Sequence, residues 1–371
     1  MTSLRSTVAR LFGPMADVVE GAPDADLVLA PATVEEAARI LDFASEHSLR
    51  VLPWGGGTHQ GLGGPFDPDL VLLTTQMDQI VEWRPDDLTV VLQAGVPVAV
   101  LEARLDERSQ TAVLPERPGR GTVGGVIAAG VSGWRRHRYG PTRDRVLEVL
   151  VATGDGRVVR GGAQVVKNVT GYDIPKLVTG SLGSLGLIVR VCLKLWPRGE
   201  TAVTVRVDDP ARALMSAHRP LAVLETIIGS FAYLAGTAAE VEAQVAALAG
   251  PGSEGLLWPE HPEGEVVVSV RVPPASTAEA VGRLPGATAF VASHGVGEVT
   301  AAFDSIRDGA LGDLRSWSES LGGSMVVLRA PAGFGLDPWG MPPTTLTIQR
   351  RIKAGFDPAG VMAPGRLPGG L

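Results

Sequence analysis

Glycine is concentrated in three segments of the first half of the chain, and this residue type suits backbone that closes around a ligand. The segments span residues 54–64, 119–133 and 180–186. Glycine adopts positive φ and lets a ligand approach the main chain, and consecutive amides in such turns form nests that hold phosphate oxygens. Ordinary tight turns in a chain with 47 glycines are the alternative. Three separate clusters favour a phosphate-bearing ligand.

The common phosphate-binding fingerprints do not fit these segments. Residues 119–124 match Gly-x-Gly-x-x-Gly, but they follow Pro115-Glu116-Arg117-Pro118 and not a strand. In the first segment Pro65 blocks the helix that a Rossmann turn requires, and the sequence contains no Gly-Lys-Ser/Thr loop. Gly-x-Ser-x-Gly elbows, His-Glu-x-x-His zinc sites and paired cysteines do not occur either. The ligand is therefore expected to be held by another geometry.

Length, charge and cysteine content limit the possible classes of protein. A chain of 371 residues is expected to form two domains, and a net charge of -7 argues against a nucleic-acid-binding surface. The single cysteine, Cys192, excludes an intrachain disulfide and a cysteine-held iron–sulfur cluster. The sequence predicts neither a signal peptide nor a membrane span. We expect a cytoplasmic protein, with any membrane association arising through partners.

Strand and helix patterns place the first glycine segment at the end of a strand. A strand at residues 27–29, a helix at 34–44 with capping-box spacing from Thr33 to Glu36, and a strand at 51–53 lead into it. Asp155-Gly156 predicts a type I′ hairpin turn. The alternation over residues 187–195 predicts a strand with one buried face. Further strands are predicted at residues 70–73, 80–83, 88–93, 146–153 and 157–160, and a helix at 97–108.

The pattern changes at Trp196-Pro197-Arg198-Gly199, which predicts a domain boundary. Beyond it, strand and helix signals alternate as in an α+β domain with an antiparallel sheet and helices on one face. The tail from residue 339 is rich in proline and glycine, contains one helical pattern at 344–354, and is expected to strap over another part of the protein. The alternating signals lie at residues 201–207, 210–217, 222–228, 238–248, 265–272, 277–283, 303–321 and 325–329.

The ordered set of glycine segments resembles one known type of FAD-binding domain. Residues 53–58 resemble the first pyrophosphate loop of the p-cresol-methylhydroxylase/vanillyl-alcohol-oxidase type, abbreviated PCMH type. Residues 121–125 and 180–188 resemble its second and third glycine segments, and residues 356–366 resemble its C-terminal return to the flavin. Within this superfamily the chain resembles the glycolate oxidase FAD-binding subunit. That narrower likeness rests on residues 132–136, 166–177 and 339–343.

The resemblance implies an α+β fold class in three parts. A two-lobed PCMH-type FAD-binding domain would span residues 1–198, an α+β cap domain with an antiparallel sheet would span 199–338, and residues 339–371 would return to the FAD domain. The pyrophosphate of FAD would lie on residues 55–58 and 122–125. Relatives with covalent flavin carry a histidine directly after paired glycines, where this chain has Gly57, so non-covalent FAD is expected. The residues expected to bind the cofactor are Pro53, Gly55, Gly56, Gly57, Thr58, His59, Gly61, Thr122, Gly124, Gly125, Ser132, Gly133, Tyr139, Asp144, Gly180, Ser181, Gly183, Gly186, Ile188, Pro364 and Gly365.

The resemblance also implies a function and partners. Its relatives oxidise 2-hydroxy acids in a complex with a second, homologous flavoprotein subunit and an iron–sulfur subunit. We therefore expect an FAD-binding subunit of a glycolate oxidase or dehydrogenase complex, which converts glycolate to glyoxylate and passes electrons to the iron–sulfur partner. A non-catalytic FAD-binding scaffold is one alternative. A stand-alone FAD-dependent oxidoreductase acting on another hydroxy acid or alcohol is the other.

Two departures from the family pattern bear on catalysis. Ala363 stands where many relatives have an asparagine, which removes a polar side chain from the tail. Catalytic relatives also carry a His-x-Gly-Asp-Gly segment with a further histidine, often tied to a divalent metal. The nearest stretch here, residues 293–298, keeps only His294, which we interpret as a histidine in a turn at a strand end. No metal site is expected.

Oxidation of a hydroxy acid needs a cation for the carboxylate and a base for the hydroxyl proton. The cationic candidates form one cluster, although a solvated basic loop or a partner interface would explain the same residues. Lys167 and Tyr172 are expected near the flavin. The sequence does not identify a catalytic residue. The clustered candidates are Arg135, Arg136, His137, Arg138 and Arg143.

Overall fold

The computed structural model describes residues 2–14, 16, 21–64, 66–115, 119, 121–165, 171–306 and 308–371. The helices up to residue 198 are α1 (Thr2–Phe12), α2 (Val34–Glu46), α3 (Val98–Asp106), α4 (Val123–Ala129), α5 (Arg136–Tyr139) and α6 (Ile174–Val178). The strands of this half are β1 (Leu27–Leu29), β2 (Val51–Trp54), β3 (Leu70–Leu73), β4 (Ile80–Arg84), β5 (Thr89–Gln93), β6 (Gln110–Thr111), β7 (Val146–Ala152), β8 (Val158–Gly162), β9 (Leu187–Lys194) and β10 (Trp196–Pro197).

The second half alternates strands and helices as expected. Its helices are α7 (Pro210–Ser216), α8 (Ala238–Leu248), α9 (Thr277–Gly282), α10 (Asp308–Ser320) and α11 (Leu346–Phe356). Its strands are β11 (Thr201–Val207), β12 (Ala222–Thr226), β13 (Gly229–Gly236), β14 (Gly252–Glu254), β15 (Val266–Arg271), β16 (Ala289–His294), β17 (Glu298–Phe303) and β18 (Ser324–Arg329). Short 3₁₀ helices span Thr142–Arg145 and Pro274–Ser276.

The first lobe is a parallel sheet in the order β1-β3-β2. Helix α2 packs on it through buried Ala37, Ile40 and Leu41. Thr33 begins this helix, since its hydroxyl oxygen accepts a hydrogen bond from the Glu36 amide at 3.1 Å. The Glu36 carboxylate bonds the Ala32 amide at 2.8 Å, one residue before the position that a standard capping box uses. The predicted helix is confirmed.

The second lobe is an antiparallel sheet in the order β4-β5-β9-β7-β8. The prediction that β9 buries one face is wrong, because Ile188 and Cys192 are buried as well as the alternate residues. Leu187 and Val189 pack into the core of the first lobe, whereas Ile188 and Val191 pack into the core of the second. Strand β9 therefore joins the two lobes.

Two smaller predictions concern β7, β8 and β9. The hairpin between β7 and β8 forms as predicted, but only Gly156 of the Asp155-Gly156 pair has a positive φ, so the turn is not type I′. Cys192 is fully buried, and burial raises the pKa of its thiol to about 12. Cys192 thus serves as a small apolar residue of the sheet.

The cap is one antiparallel sheet of eight strands in the order β14-β11-β13-β12-β16-β17-β15-β18. Helices α7 and α8 cover one half of one face, and α9 and α10 cover the other half. The predicted element at residues 303–321 is wrong at its start, because Phe303 ends β17 and the helix begins at Asp308.

The opposite face of the cap sheet faces the part of the chain before residue 199. Successive side chains of a strand point to opposite faces. Val268 and Val270 of β15 pack under the helices, whereas Val267, Ser269 and Arg271 face a cavity between the two halves. Alternate side chains of β15 therefore form the core under the helices and the wall of the cavity.

The C-terminal tail returns to the first lobe as expected. Met362 forms a parallel bridge with Val51, so the tail runs beside β2. The Val51 amide bonds the Val361 carbonyl at 2.8 Å, and the Ala363 amide bonds the Val51 carbonyl at 2.9 Å. Helix α11 precedes this contact and is anchored by Lys353, whose ammonium donates to the Ser184 carbonyl at 2.8 Å.

Candidate functional site

The first glycine turn follows β2 directly and is packed against neighbouring side chains. Gly57 has a φ of 73°, and a Cβ there would lie 2.7 Å from Cζ2 of Trp54. A Cβ on Gly55 would overlap the Thr122 hydroxyl oxygen. The turn is therefore closed to larger residues on two sides, and glycine is required by contact as well as by conformation.

The amides of this turn are available to a ligand. Within the described ranges, the amides of Gly55, Gly56 and Gly57 donate no hydrogen bond to the protein. The turn lines a cavity of about 70 Å³. Successive free amides of this kind bind anionic oxygens, so this turn can hold a phosphate group.

The second glycine segment differs from the first because its amides are already used. The Gly124 amide donates to the Ala94 carbonyl at 2.8 Å, and the Gly125 amide donates to the Thr122 hydroxyl oxygen at 3.2 Å. A Cβ on Gly124 would lie 2.5 Å from the Ala94 Cβ. This segment forms a thin wall of the cavity and offers close approach rather than free donors.

The third glycine segment closes the other side of the same cavity. Gly183 has a φ of 76°, and a Cβ there would lie 2.8 Å from Cγ of Pro53. Gly186, Leu187 and Ile188 continue the lining where β9 begins. The three segments, which are distant in sequence, thus meet around one space.

A larger cavity of about 590 Å³ lies between the two halves of the chain. It meets the smaller one at a shared wall that includes Thr58, His59, Gln60 and Leu182. Its far wall is the exposed face of the cap sheet. Because they share these residues, the two cavities adjoin, and together we call them the groove, which has a glycine-rich end and a polar end.

The polar end of the groove is rich in arginine. Arg136, Arg143, Arg271 and Arg329 all line the larger cavity. Glu298 accepts from Arg136 at 3.4 Å and from Arg271 at 3.2 Å. Among the described residues Arg329 forms no ion pair. A ligand at this end of the groove therefore meets an excess of positive charge.

Comparison with known proteins identifies the first half of the chain. Residues 25–162 match the family model described as FAD binding domain. This part of the chain is an FAD-binding domain of the PCMH type. FAD is its cofactor.

Curated relatives of this FAD-binding domain include subunits of one enzyme. Glycolate oxidase subunit GlcD of Bacillus subtilis is 37% identical over 185 residues, which cover 48% of this chain and 39% of that protein. Glycolate oxidase subunit GlcE of Escherichia coli is 37% identical over 141 residues, covering 37% of this chain and 40% of that protein. The matched parts thus amount to about two fifths of each relative.

The fold continues beyond the FAD-binding domain in a solved structure. An alkyldihydroxyacetonephosphate synthase superposes with a TM-score of 0.65 and covers 92% of this chain and 77% of its own. The sequence identity is 15%, so this likeness concerns the fold alone. The predicted fold class, an FAD-binding domain followed by an α+β cap, is confirmed.

The residues at the glycine-rich end fit FAD. A pyrophosphate needs donors and close approach, and the free amides of the Gly55 turn and the thin wall at Gly124 supply both. Trp54 and Arg366, which line this cavity, each carry a buried nitrogen without a partner among the described residues, Nε1 and Nε respectively. Orphaned buried donors beside a glycine cradle are expected where a polar ligand completes the site.

Most residues predicted to bind FAD line the groove. The smaller cavity is lined by Pro53, Gly55, Gly56, Gly57, Thr58, His59, Gly124, Gly125, Gly183, Gly186 and Ile188. The larger cavity adds Gly61, Ser132, Gly133 and Gly180. The sequence therefore predicted residues that the fold brings together from both lobes, and their contact with FAD stays a prediction.

The remaining predicted residues line neither cavity. Thr122 is the N-cap of α4, and Ser181 is buried beside the groove. The Tyr139 ring packs edge-on against Trp196 with a centroid distance of 5.6 Å, and Asp144 lies beside Arg143. Pro364 and Gly365 precede Arg366, which does line the cavity. For Pro364, Gly365 and these four residues a direct role in FAD binding stays a prediction.

The alternative of a solvated basic loop does not describe Arg135 and Arg138, although the Arg143 side chain is 61% exposed and pairs with Asp144. Arg135 donates to the Leu114 carbonyl at 3.0 Å, and Arg138 donates to the Ala235 carbonyl of the cap at 2.8 Å. Burial lowers the pKa of the His137 imidazole, and a hydrogen bond with the Gly295 main chain opposes that shift. The segment joins the FAD-binding domain to the cap because its cations find acceptors on both.

His294 lies in the place that its strand-end position suggested. It ends β16, is 6% exposed, and its Nε2 lies 2.7 Å from the Glu225 carboxylate. Its neighbours Ser293 and Val296 line the larger cavity, whereas His294 itself does not. His294 therefore packs within the cap.

Three charged or titratable cavity residues were not among the site residues predicted from the sequence. Arg329 ends the edge strand β18, His261 lies in the loop before β15, and Arg366 lies in the tail. His261 stacks on Trp134 with a centroid distance of 4.5 Å. Each of the three reaches the groove only through the tertiary fold.

The two residues expected near the flavin do not help to define the site. Lys167 lies outside the described residues. Tyr172 is 91% exposed and does not line either cavity.

Two searches of the described residues gave negative results. No group of three or more histidine, cysteine, aspartate or glutamate side chains in these ranges is placed to hold a metal ion. No helix in the described part of the chain has both the length and the apolar composition needed to cross a bilayer.

Proposed function

We propose that this chain is the FAD-binding subunit of a glycolate (2-hydroxy-acid) oxidase or dehydrogenase complex. The observation that carries the proposal is the groove, in which the glycine cradle for FAD adjoins an arginine-rich cavity under the cap. A 2-hydroxy acid is an anion that must lie beside the flavin, and such a groove provides space and charge for both. The glycolate oxidase subunits among the relatives agree with this substrate class.

Arg329 is the proposed anchor for the substrate carboxylate. Arg329 is an exposed residue that lines the larger cavity and forms no ion pair among the described residues, so a carboxylate does not have to displace an existing partner. Arg136 and Arg271 already share Glu298. The planar guanidinium of arginine can bind a carboxylate with two parallel hydrogen bonds.

His261 is the proposed acceptor of the hydroxyl proton. It and His59 are the histidines of the described chain that line the larger cavity. Nδ1 of His59 lies 3.0 Å from the Thr58 hydroxyl in the glycine turn, whereas His261 stacks on Trp134 at the cap side. An imidazole has a pKa suited to general-base catalysis near neutral pH. FAD, when bound, supplies the hydride-accepting chemistry.

The proposed electron acceptor is an iron–sulfur subunit. Cys192 is the single cysteine of the chain and is fully buried in β9, so this chain cannot provide the thiolates of a cluster. A homologous flavoprotein subunit is the second proposed partner. The names of the relatives, which designate subunits, support an assembly of this kind.

The proposal includes the division of the chain and the mode of cofactor attachment. We propose an FAD-binding domain at residues 1–198, a cap at 199–338 and a returning tail at 339–371, since strand β10 pairs with β6 and β11 begins the cap sheet. Non-covalent FAD and a cytoplasmic location, with any membrane association arising through partners, belong to the same proposal.

One observation favours a second candidate, a non-catalytic FAD-binding scaffold. His294 bonds Glu225 inside the cap and does not reach the groove. The histidine of the catalytic family segment therefore has no counterpart at that place in the cavity. A scaffold would bind FAD and its partner subunits without oxidising a hydroxy acid, and a stand-alone oxidoreductase would turn over without them.

Replacement of the proposed carboxylate anchor tests this function. We expect Arg329→Gln to weaken carboxylate binding by about 10- to 100-fold, because a charge-assisted hydrogen bond contributes about 1.5–3 kcal/mol. The measurement is a titration of the FAD-loaded protein with oxalate, a two-carbon dicarboxylate that cannot lose a hydride, followed by the change in flavin absorbance. This readout does not require turnover or partner subunits.

Arg283→Gln is the matched control, because Arg283 is a half-exposed arginine of the cap that pairs with Glu279 outside the groove. It should bind oxalate as the unmodified protein does. Equal oxalate affinity in the Arg329 and Arg283 variants would contradict the assigned anchor. If oxalate at any concentration leaves the flavin absorbance of the unmodified protein unchanged, the scaffold is favoured.

A further inference from the structure

Arg366 is a buried cation in the C-terminal tail. The residue is 3% exposed. Its guanidinium donates to Oε1 of Gln60 at 2.6 Å, to the Gln60 carbonyl at 2.8 Å and to the Leu62 carbonyl at 2.5 Å. All three acceptors are neutral, so these contacts orient the guanidinium without balancing its charge.

The charge of Arg366 has no counterpart in the described protein. Among the described residues Arg366 forms no ion pair, and its Nε has no hydrogen-bond partner. Burial lowers the pKa of the guanidinium to about 10, with no acidic neighbour raising it. A buried charge is costly unless it is paired, so an anion is expected to complete this site.

The position of Arg366 indicates which anion. It lines the smaller cavity together with the turn at Gly55, Gly56 and Gly57, whose amides donate no hydrogen bond to the described residues. Its side chain donates hydrogen bonds to the carbonyls of Gln60 and Leu62, which follow that turn. The cation and the free amides therefore face the same small space.

We propose that Arg366 provides the positive charge that pairs with the pyrophosphate of FAD. The proposal concerns the cofactor and does not depend on the substrate. Guanidinium groups attract phosphate oxygens, and Arg366 lies at the wall of the cavity that the Gly55–Gly57 turn also lines.

The tail holds Arg366 in place from both sides. The Arg366 carbonyl accepts from Nε1 of Trp339 at 3.1 Å, and the preceding residues run beside β2 through Met362. Gly63, with a φ of 85°, lies so close to the Arg366 main chain that a Cβ would overlap its carbonyl. The guanidinium is thus positioned before a ligand arrives, which reduces the entropy lost on binding.

A purely structural role is the competing explanation, because the same hydrogen bonds tie the tail to the turn. The two roles differ in their response to ligands. A pyrophosphate partner should affect every ligand that carries a pyrophosphate, with or without a flavin. A flavin contact should affect FAD and riboflavin and spare ADP. Loss of a structural clamp on the turn should also weaken FAD and ADP, but neutralising the charge while the clamp stays in place, as in Gln60→Glu, should then leave ADP affinity unchanged.

The test compares FAD, ADP and riboflavin binding to the apoprotein of Arg366→Gln, Arg366→Lys and the unmodified chain. We expect Arg366→Gln to weaken both FAD and ADP by about 100-fold and to leave riboflavin binding and the flavin reduction potential unchanged. Arg366→Lys keeps the charge and should stay within about tenfold of the unmodified chain. Calorimetry gives the affinities, and a dye-equilibration titration gives the potential.

Arg315→Gln is the matched control for loss of a buried arginine. Arg315 is 7% exposed, donates to the Asp337 carbonyl at 2.7 Å and also has an orphaned Nε, but it lies in the cap away from the small cavity. The Arg315→Gln variant should bind FAD, ADP and riboflavin with the affinities of the unmodified chain. Unchanged ADP affinity in Arg366→Gln, or a loss confined to flavin ligands with a shifted potential, would overturn the proposal.

A second variant keeps the test decisive if Arg366→Gln does not fold. Gln60→Glu places a carboxylate at the atom that already accepts from Arg366 at 2.6 Å, so the cation gains an internal partner. We expect a folded protein whose ADP affinity falls at least tenfold, because the charge is no longer available to a ligand. Folded Gln60→Glu protein with unchanged ADP affinity would also overturn the proposal.

Discussion

A Gly57→Val variant is expected to fold and to lose FAD. Gly57 has a φ of 73°, which a β-branched residue adopts only with strain, and its Cβ would lie 2.7 Å from the buried Trp54 ring. The turn must shift to relieve this contact, and its free amides then no longer converge on one point. We expect FAD affinity to fall by about a thousandfold or more, since several hydrogen bonds of about 1.5–3 kcal/mol each to a charged group are lost.

The measurement is the flavin content of the purified protein from its visible absorbance, followed by reconstitution with added FAD. Gly286→Val is the matched control, because Gly286 has a φ of 74° in the cap and a Cβ there would meet no atom within 4 Å. Both variants carry the same backbone strain, but only Gly57 lines the cavity. Comparable flavin content in the two variants would show that the Gly55–Gly57 turn does not hold the cofactor.

The second large effect, a loss of stability, is expected on replacing Lys353, which belongs to the ion pair that anchors the tail. Its ammonium donates to the Asp357 carboxylate at 2.6 Å and to the Met362 carbonyl at 2.6 Å. The side chains of Lys353 and Asp357 are 12% and 0% exposed. Lys353→Met would leave a buried carboxylate without its cation, which costs about 3–5 kcal/mol of the free energy of unfolding.

Urea unfolding of the apoprotein measures this loss, with Lys176→Met as the control. Lys176 forms an ion pair with Asp173 at 2.8 Å, but the two side chains are 52% and 53% exposed. The free energy of unfolding of the control should fall by less than about 1 kcal/mol. The double variant Lys353→Met/Asp357→Asn should recover part of the stability, because it removes the unpaired charge. A loss in Lys353→Met no larger than in the control would refute the anchoring role.

The glycine-rich end of the groove was predictable because its requirements are local. Gly57 and Gly183 adopt positive φ, and Gly124 sits where a Cβ would touch Ala94. Glycine is the residue that fits such positions best, so the glycines in the sequence predict the turns. The same holds for the helix at Val34–Glu46, whose cap and apolar face are encoded within a few residues.

The polar end was not predictable because it is built by tertiary contacts. Arg329 and His261 come from different parts of the cap and approach the FAD-binding domain only when the eight-stranded sheet forms. Nothing near either residue in the sequence distinguishes it from surface residues of the same type. Arg366 was part of a recognised tail motif, but its burial and missing counter-charge depend on Gln60 and Leu62, about 300 residues earlier.

Errors in the strands have a similar cause. The pattern in β9 predicted one buried face, but the strand lies between two cores, so polar or small residues such as Cys192 are buried too. Strands β13 and β16 gave no clear signal in the sequence, although they lie in the middle of the cap sheet. Their burial depends on neighbouring strands that are far away in sequence.

The most direct test of the proposed function is the anaerobic addition of glycolate to the FAD-loaded chain, with and without its co-purified subunits. Loss of the flavin absorbance on adding glycolate or another 2-hydroxy acid is the result we predict, and it should require a higher concentration of the acid in Arg329→Gln. A flavin that dithionite reduces but that no 2-hydroxy acid reduces, even in the assembled complex, would contradict the account.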